Sequence, residues 1–118
     1  MSLPPHSAAE STAFHPKLPP PAISAETAAR LLAFRDARRW APKHNPKDLA
    51  ASIVIEAAEL LEVFQWSGDD LECRDKHEQM EDELADVFAY ALLLADRIGA
   101  SPDQILLKKL EKLEKKYP

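Results

Sequence analysis

Between Ser24 and Tyr117 the chain contains two glycines, Gly68 and Gly99, and this scarcity constrains the fold more than any other feature of the sequence. A sheet protein needs glycine at hairpin turns and bulges, where backbone conformations forbidden to other residues recur. Here alanine, leucine, glutamate and lysine are frequent instead, which is the composition of helices. The predicted class is all-α.

Six of the ten prolines fall between Met1 and Pro21, in a stretch with little apolar periodicity. Residues 1–23 are therefore expected to form an extended or mobile arm, and residues 24–118 the folded domain. Roughly ninety residues of helix make a small core for a lone chain. Helix faces left over after intrachain packing are expected to bury themselves against another copy, giving a homo-oligomer, a dimer or tetramer.

The formal net charge of −5 and pI near 5.3 argue against non-specific binding to a nucleic acid polymer, whose phosphates the excess acid would repel. A mononucleotide remains compatible, because a bound divalent cation reverses the local sign. Cys73 has no second cysteine to pair with, and no charged-then-apolar leader opens the chain, so a reducing cytoplasm is expected. The longest apolar run, Val87 to Ala95, is too short to span a membrane.

Punctuation places four helices, read as an antiparallel bundle. The first opens on Ser24 as N-cap with Glu26 in its first turn and runs toward Trp40, closed by Pro42. The second takes Asn45 as cap and Pro46 at the first helical position, continuing to about Trp66 before Ser67 and Gly68. A polar linker, Asp69 to Arg74, leads to a third from about Asp75 to Ile98, ended by Gly99 as a left-handed C-cap. Ser101-Pro102-Asp103-Gln104 then reads as a capping box opening a fourth, from Pro102 to Lys116.

The second and third helices carry the chemistry. Acids recur at every third position inside an apolar segment, Glu56, Glu59 and Glu62, and the spacing returns at Glu83 and Asp86. Residues three apart project from neighbouring angles on a helix, so each pair can aim at one point. On antiparallel neighbours the two pairs would surround a shared gap. Ile53, Val54, Ala57, Leu60, Val87 and Phe88 are expected to wall it with core residues.

Four like charges in a partly desolvated gap raise one another's pKa unless protons or cations neutralise them. An all-oxygen set suits Mg²⁺, or Mn²⁺ in its place, better than zinc. A di-iron bundle would need Glu-x-x-His on two helices, and no histidine follows a glutamate at that spacing. Acid pairs three apart are also ordinary on solvated faces, the reading that fits Glu62, Glu78, Glu81 and Asp82.

Glu56-x-x-Glu59 followed by Glu83-x-x-Asp86 resembles the paired motif of the all-α NTP pyrophosphohydrolases, the MazG-like group, and is most similar to its dCTP pyrophosphatase branch. Flanking features share the likeness: Phe34 and Trp40, His44-x-Pro46, Glu59 to Trp66, Glu83 to Val87 with Tyr90, and the terminal Tyr117-Pro118. The resemblance spans about Ala25 to Pro118. It implies hydrolysis of a deoxynucleoside triphosphate, dCTP or a modified dCTP, to monophosphate and pyrophosphate. By the same resemblance Glu56, Glu59, Glu83 and Asp86 hold Mg²⁺, Trp40, His44, Trp66 and Tyr90 meet the nucleotide, and Lys109 meets phosphate.

Read as residues, Trp40 and Trp66 can sandwich a pyrimidine or simply pack at helix ends. His44 can donate to base, sugar or phosphate, or be an exposed loop residue. Tyr90 can reach the substrate from one turn beyond Asp86, or be a core tyrosine. Lys109, Lys112, Lys115 and Lys116 can bind phosphate or merely complement the helix dipole. Leu31 stands where near relatives carry a histidine that meets the substrate, Leu113 replaces a usual asparagine and Lys116 a usual arginine. Base choice therefore stays open to dUTP or oxidised nucleotides. A non-catalytic helical binding module is the alternative of a different kind.

Overall fold

The computed structural model describes residues 22–118, so the expected proline-rich arm lies, apart from its last two residues, outside the described residues. Within them four α-helices follow one another: α1 (Ala25–Ala37), α2 (Pro46–Glu62), α3 (His77–Arg97) and α4 (Pro102–Lys116). Among the described residues there is no strand, as the glycine scarcity predicts. None of these helices is long and apolar enough to cross a membrane.

The expected N-caps all form, each giving a side-chain acceptor to an otherwise orphaned amide of the first turn. Ser24 Oγ accepts from the Thr27 amide at 3.1 Å, Asn45 Oδ1 from Asp48 at 2.8 Å and Ser101 Oγ from Gln104 at 3.4 Å. Pro46 and Pro102 occupy first-turn positions where no amide proton is needed.

Three helix ends differ from expectation, each for a local backbone reason. α1 stops at Ala37 instead of reaching Trp40, because Arg39 takes a left-handed conformation at φ 57°. The Trp40 amide then bonds back to the Arg35 carbonyl and the Arg39 amide to that of Asp36, a Schellman closure with arginine where glycine is usual. α2 stops at Glu62 because the amides of Val63, Phe64 and Gln65 switch to carbonyls three residues back, tightening the chain into turns that carry Trp66. α3 starts at His77 after a 3-10 turn over Arg74–Lys76, since Cys73 at φ 48° cannot lie in a helix. The end of α3 matches expectation: Gly99, at φ 70°, closes the same motif with Ala100 bonding to Ala95.

α2 and α3 form the body of the fold, packed side by side as an antiparallel pair. Leu49, 1% exposed, near the start of α2, and Leu93 and Ala95, near the end of α3, are buried at one end. Val63 and Cys73 are buried at the other, where the thiol donates to the Val63 carbonyl at 3.7 Å. α1 lies against α3, tied by Arg35 to Asp96. Among the described residues, α4 buries no side chain of its own and packs extensively on no other element.

The expectation of a continuous apolar wall around the acids holds in part. Ile53, Leu60 and Val87 are half-buried, but Ala57, Val54 and Phe88 are exposed, Val54 at 68%. These side chains lie on helix faces that the described residues leave uncovered.

Candidate metal and nucleotide site

The carboxylates of Glu56, Glu59, Glu83 and Asp86 each offer an oxygen, and these four oxygens all lie within 4.8 Å of one another. The antiparallel pairing explains this: Glu56 and Glu59 leave one face of α2 a turn apart, and Glu83 and Asp86 meet them from α3 at the same height. They occupy the middle of the seam, between its two buried ends.

Their environment is unfavourable as it stands. Glu56 Oε2 and Glu83 Oε2 are buried with no hydrogen-bond partner among the described residues. Desolvation, then the neighbouring Glu59 and more distantly Asp86 and Glu83, push the Glu56 carboxyl up to about 7. Desolvation and Glu59 raise Glu83 in the same way. Oxygens without a donor, on carboxylates that repel one another, are complementary to a cation. A hard divalent ion fits such an all-oxygen set.

A cleft of about 260 Å³ opens beside the seam, lined by Glu59, Glu62, Val63, Lys76, Gln79, Asp82 and Glu83. Glu62 and Asp82, expected on solvated faces, are indeed exposed but also line this cleft. Lys76 and Gln79 are cleft residues that motif spacing missed. The signal was present: carrying the antiparallel register of Glu59 and Glu83 one turn further sets Glu62 opposite Gln79. Asp70, Cys73 and Asp75 also converge, but there Asp70 Oδ1 is engaged by the Cys73 amide at 3.1 Å and shapes the loop.

The aromatic residues separate into two places. The Phe34 and Trp40 rings meet edge to face at 5.6 Å and 77°, and Trp40 lies 6.2 Å from His44, whose Nδ1 is buried without a partner among the described residues. The Arg38 guanidinium covers the other ring, 3.4 Å from the Phe34 centroid. Trp66 is 85% exposed at the opposite end of α2, a helix of seventeen residues and hence about 25 Å long. One chain therefore does not close the two indoles into a sandwich. Tyr90 is half-buried on α3 one turn beyond Asp86. Lys109 lies instead in an apolar groove between α3 and α4, whose lining includes none of the four carboxylates.

A family model described as MazG-like matches residues 51–118, a span holding all four carboxylates and nearly all of the helix pair that carries them. The chain belongs to the MazG-like family. This MazG-like chain is 31% identical over 90 residues to dCTP pyrophosphatase 1 of Bos taurus, covering 72% of the chain and 53% of the relative. It is 30% identical over the same length to the protein of that name from Mus musculus. The chain thus spans about half the length of the curated relatives it matches. A crystal structure of a pyrophosphatase from Archaeoglobus fulgidus superposes with a TM-score of 0.71 at 36% identity, with 99% of each chain covered. The same fold therefore occurs in a relative of matching length.

Proposed function

We propose that this MazG-like chain is a Mg²⁺-dependent nucleoside triphosphate pyrophosphohydrolase, converting a deoxynucleoside triphosphate and water to the monophosphate and pyrophosphate. The observation that carries the reading is the carboxylate seam, with two buried oxygens that no group among the described residues satisfies. Glu56, Glu59, Glu83 and Asp86 would hold the ion, with Mn²⁺ a substitute. When bound, it would neutralise triphosphate charge and acidify a water for attack at the α phosphorus.

The remaining roles fall to the chain. Glu62 lines the cleft next to Glu59 outside the quartet, and on this reading it would add a ligand or accept a proton from the attacking water. Trp40 with His44, and Trp66 separately, offer aromatic surfaces for a base. Tyr90 would reach sugar or phosphate, and Lys109 phosphate. We read the substrate as dCTP or a modified dCTP from the names of the relatives, the assembly as a homo-oligomer, and the role as cleansing of a cytoplasmic nucleotide pool. Leu31 cannot donate to a base, which favours broader specificity, toward dUTP or oxidised nucleotides, as the second reading.

The test is product analysis across the four deoxynucleoside triphosphates and damaged analogues with Mg²⁺. Pyrophosphate is the expected first product. Orthophosphate first, or unchanged turnover in Glu59→Gln, rejects the proposal. A chain that Mg²⁺ does not stabilise against heat would be a helical binding module instead.

A further inference from the structure

Among the described residues, the cleft beside the carboxylate seam is lined by a single cation, Lys76. It shares that space with Glu59, Glu62, Asp82 and Glu83, yet it pairs with none of them. The ion pairs among the described residues are those of Arg35 with Asp36 and Asp96. A lysine whose task was to offset the repulsion between these acids would lie against one of them, where the attraction is strongest. Lys76 is half-buried as well, so its ammonium has given up part of its water without gaining a partner. Helix stability does not account for it either. Lys76 is the N-cap of α3, makes no side-chain capping bond, and as a cation opposes the helix dipole there.

Its position along α3 relates it to the seam. Lys76, Gln79, Glu83, Asp86 and Tyr90 follow one another at intervals of three and four, so they form one stripe along the helix. Glu83 and Asp86 turn that stripe toward Glu56 and Glu59 of α2. Lys76 precedes Glu83 by seven residues, about 10 Å along the axis, with Gln79 between them. The other end of the seam is shut, because Leu49, Leu93 and Ala95 are buried there. A phosphate chain that starts at ions held by the four carboxylates therefore has its open path through the cleft, past Gln79 to Lys76.

We propose that Lys76 binds the outer phosphates of the substrate, the two that depart as pyrophosphate. This rests on the pyrophosphohydrolase reading above and deepens it by assigning a leaving-group contact to the same helix that carries Glu83 and Asp86. The lysine is a mobile point charge suited to a phosphate that changes position as it leaves. Its charge offsets the negative charge that the departing pyrophosphate acquires when the bond between the α and β phosphates breaks. The contact is separate from Lys109, which lines a different groove.

The experiment is calorimetric titration of the full chain with inorganic pyrophosphate in the presence of Mg²⁺, for the wild type, Lys76→Met and Lys76→Arg. Thermal melts with Mg²⁺ alone accompany it. Lys76→Met is expected to weaken pyrophosphate binding by about 10- to 100-fold, the range for a hydrogen bond to a charged group. Stabilisation by Mg²⁺ alone is expected to be retained, and Lys76→Arg to restore most of the pyrophosphate affinity. Equal pyrophosphate binding by the wild type and Lys76→Met overturns the assignment and leaves the hydrolysis standing. So does a Lys76→Met chain whose response to Mg²⁺ alone changes while its pyrophosphate affinity does not, because the lysine then serves the acids. A wild type that releases no pyrophosphate from any deoxynucleoside triphosphate rejects the function, and this contact with it. Should Lys76→Met fail to fold, amine-reactive labelling of the wild type decides. Mg²⁺ with pyrophosphate is expected to protect Lys76 where Mg²⁺ alone does not, and unchanged labelling overturns the proposal.

Discussion

Arg35 Nη1 donates a 2.7 Å hydrogen bond to Asp96 Oδ2, joining α1 to the end of α3 across sixty-one positions of sequence. The arginine side chain is 12% exposed and also bonds Asp36 at 2.9 Å, so it is held in place before the pair forms. Because α1 buries no residue of its own among the described residues, this ion pair fixes the helix whose closing turn leads to Trp40. A double-mutant cycle with Arg35→Met and Asp96→Asn, followed by chemical denaturation, is expected to give a coupling of about 0.5–1 kcal/mol, limited by the exposure of Asp96 and reduced by salt.

Stability without metal should depend on pH through the seam. Glu56, raised from 4.5 to about 7, and Glu83, raised likewise, bind protons more tightly folded than unfolded. Their contribution is fully present below pH 4.5 and is lost as pH rises through about 7. With a chelator present, the melting temperature of wild type relative to Glu56→Gln is expected to fall across that window. Mg²⁺ should remove the difference in slope.

Ligand and base can be told apart kinetically. Glu59→Gln is expected to lose both turnover and stabilisation by Mg²⁺. Glu62→Gln is expected to lower kcat by about 10²–10⁴-fold, the range for a proton-transfer group, with Mg²⁺ stabilisation retained. Thermal melts beside single-turnover rates make the comparison.

Trp66 stands clear of the core, so Trp66→Ala should leave the melting temperature unchanged. If it stacks on the base, KM is expected to rise by about 5- to 150-fold, the equivalent of roughly 1–3 kcal/mol. Steady-state kinetics alongside the melt separate this from an inert surface tryptophan.

Arg39 and Gly99 fill the same left-handed position of the same closing motif. Arg39→Gly is expected to stabilise the fold by about 1 kcal/mol. Gly99→Ala is expected to destabilise by a similar amount through backbone strain alone, because an added Cβ there meets nothing within 4 Å. Denaturant midpoints test both.

The features legible in the sequence are those set by nearest neighbours. Serine and asparagine before a helical pattern, proline at the first position and Gly99 after Ile98 have one local solution, and the structure adopts it. Arg39 and Cys73 carry no such mark, since a left-handed conformation costs any side chain energy that only the surrounding fold can offset. The approach of the four carboxylates was readable because i and i+3 spacing survives any packing of the helices. The exposure of Val54 and Phe88 was not, because an apolar residue does not specify whether its cover comes from its own chain or from another.

The helices that carry the carboxylates are also those that hold the core, with Leu49 and Leu93 at one end of the seam and Val63 at the other. Mutational freedom is therefore unequal. A substitution at the buried ends moves the mounts of the four carboxylates and is felt by fold and seam together, whereas the segment around Trp40 and the turn bearing Trp66 hang outside that frame. On the proposed function, a lineage could alter which base these peripheral residues accept while inheriting the carboxylate seam unchanged.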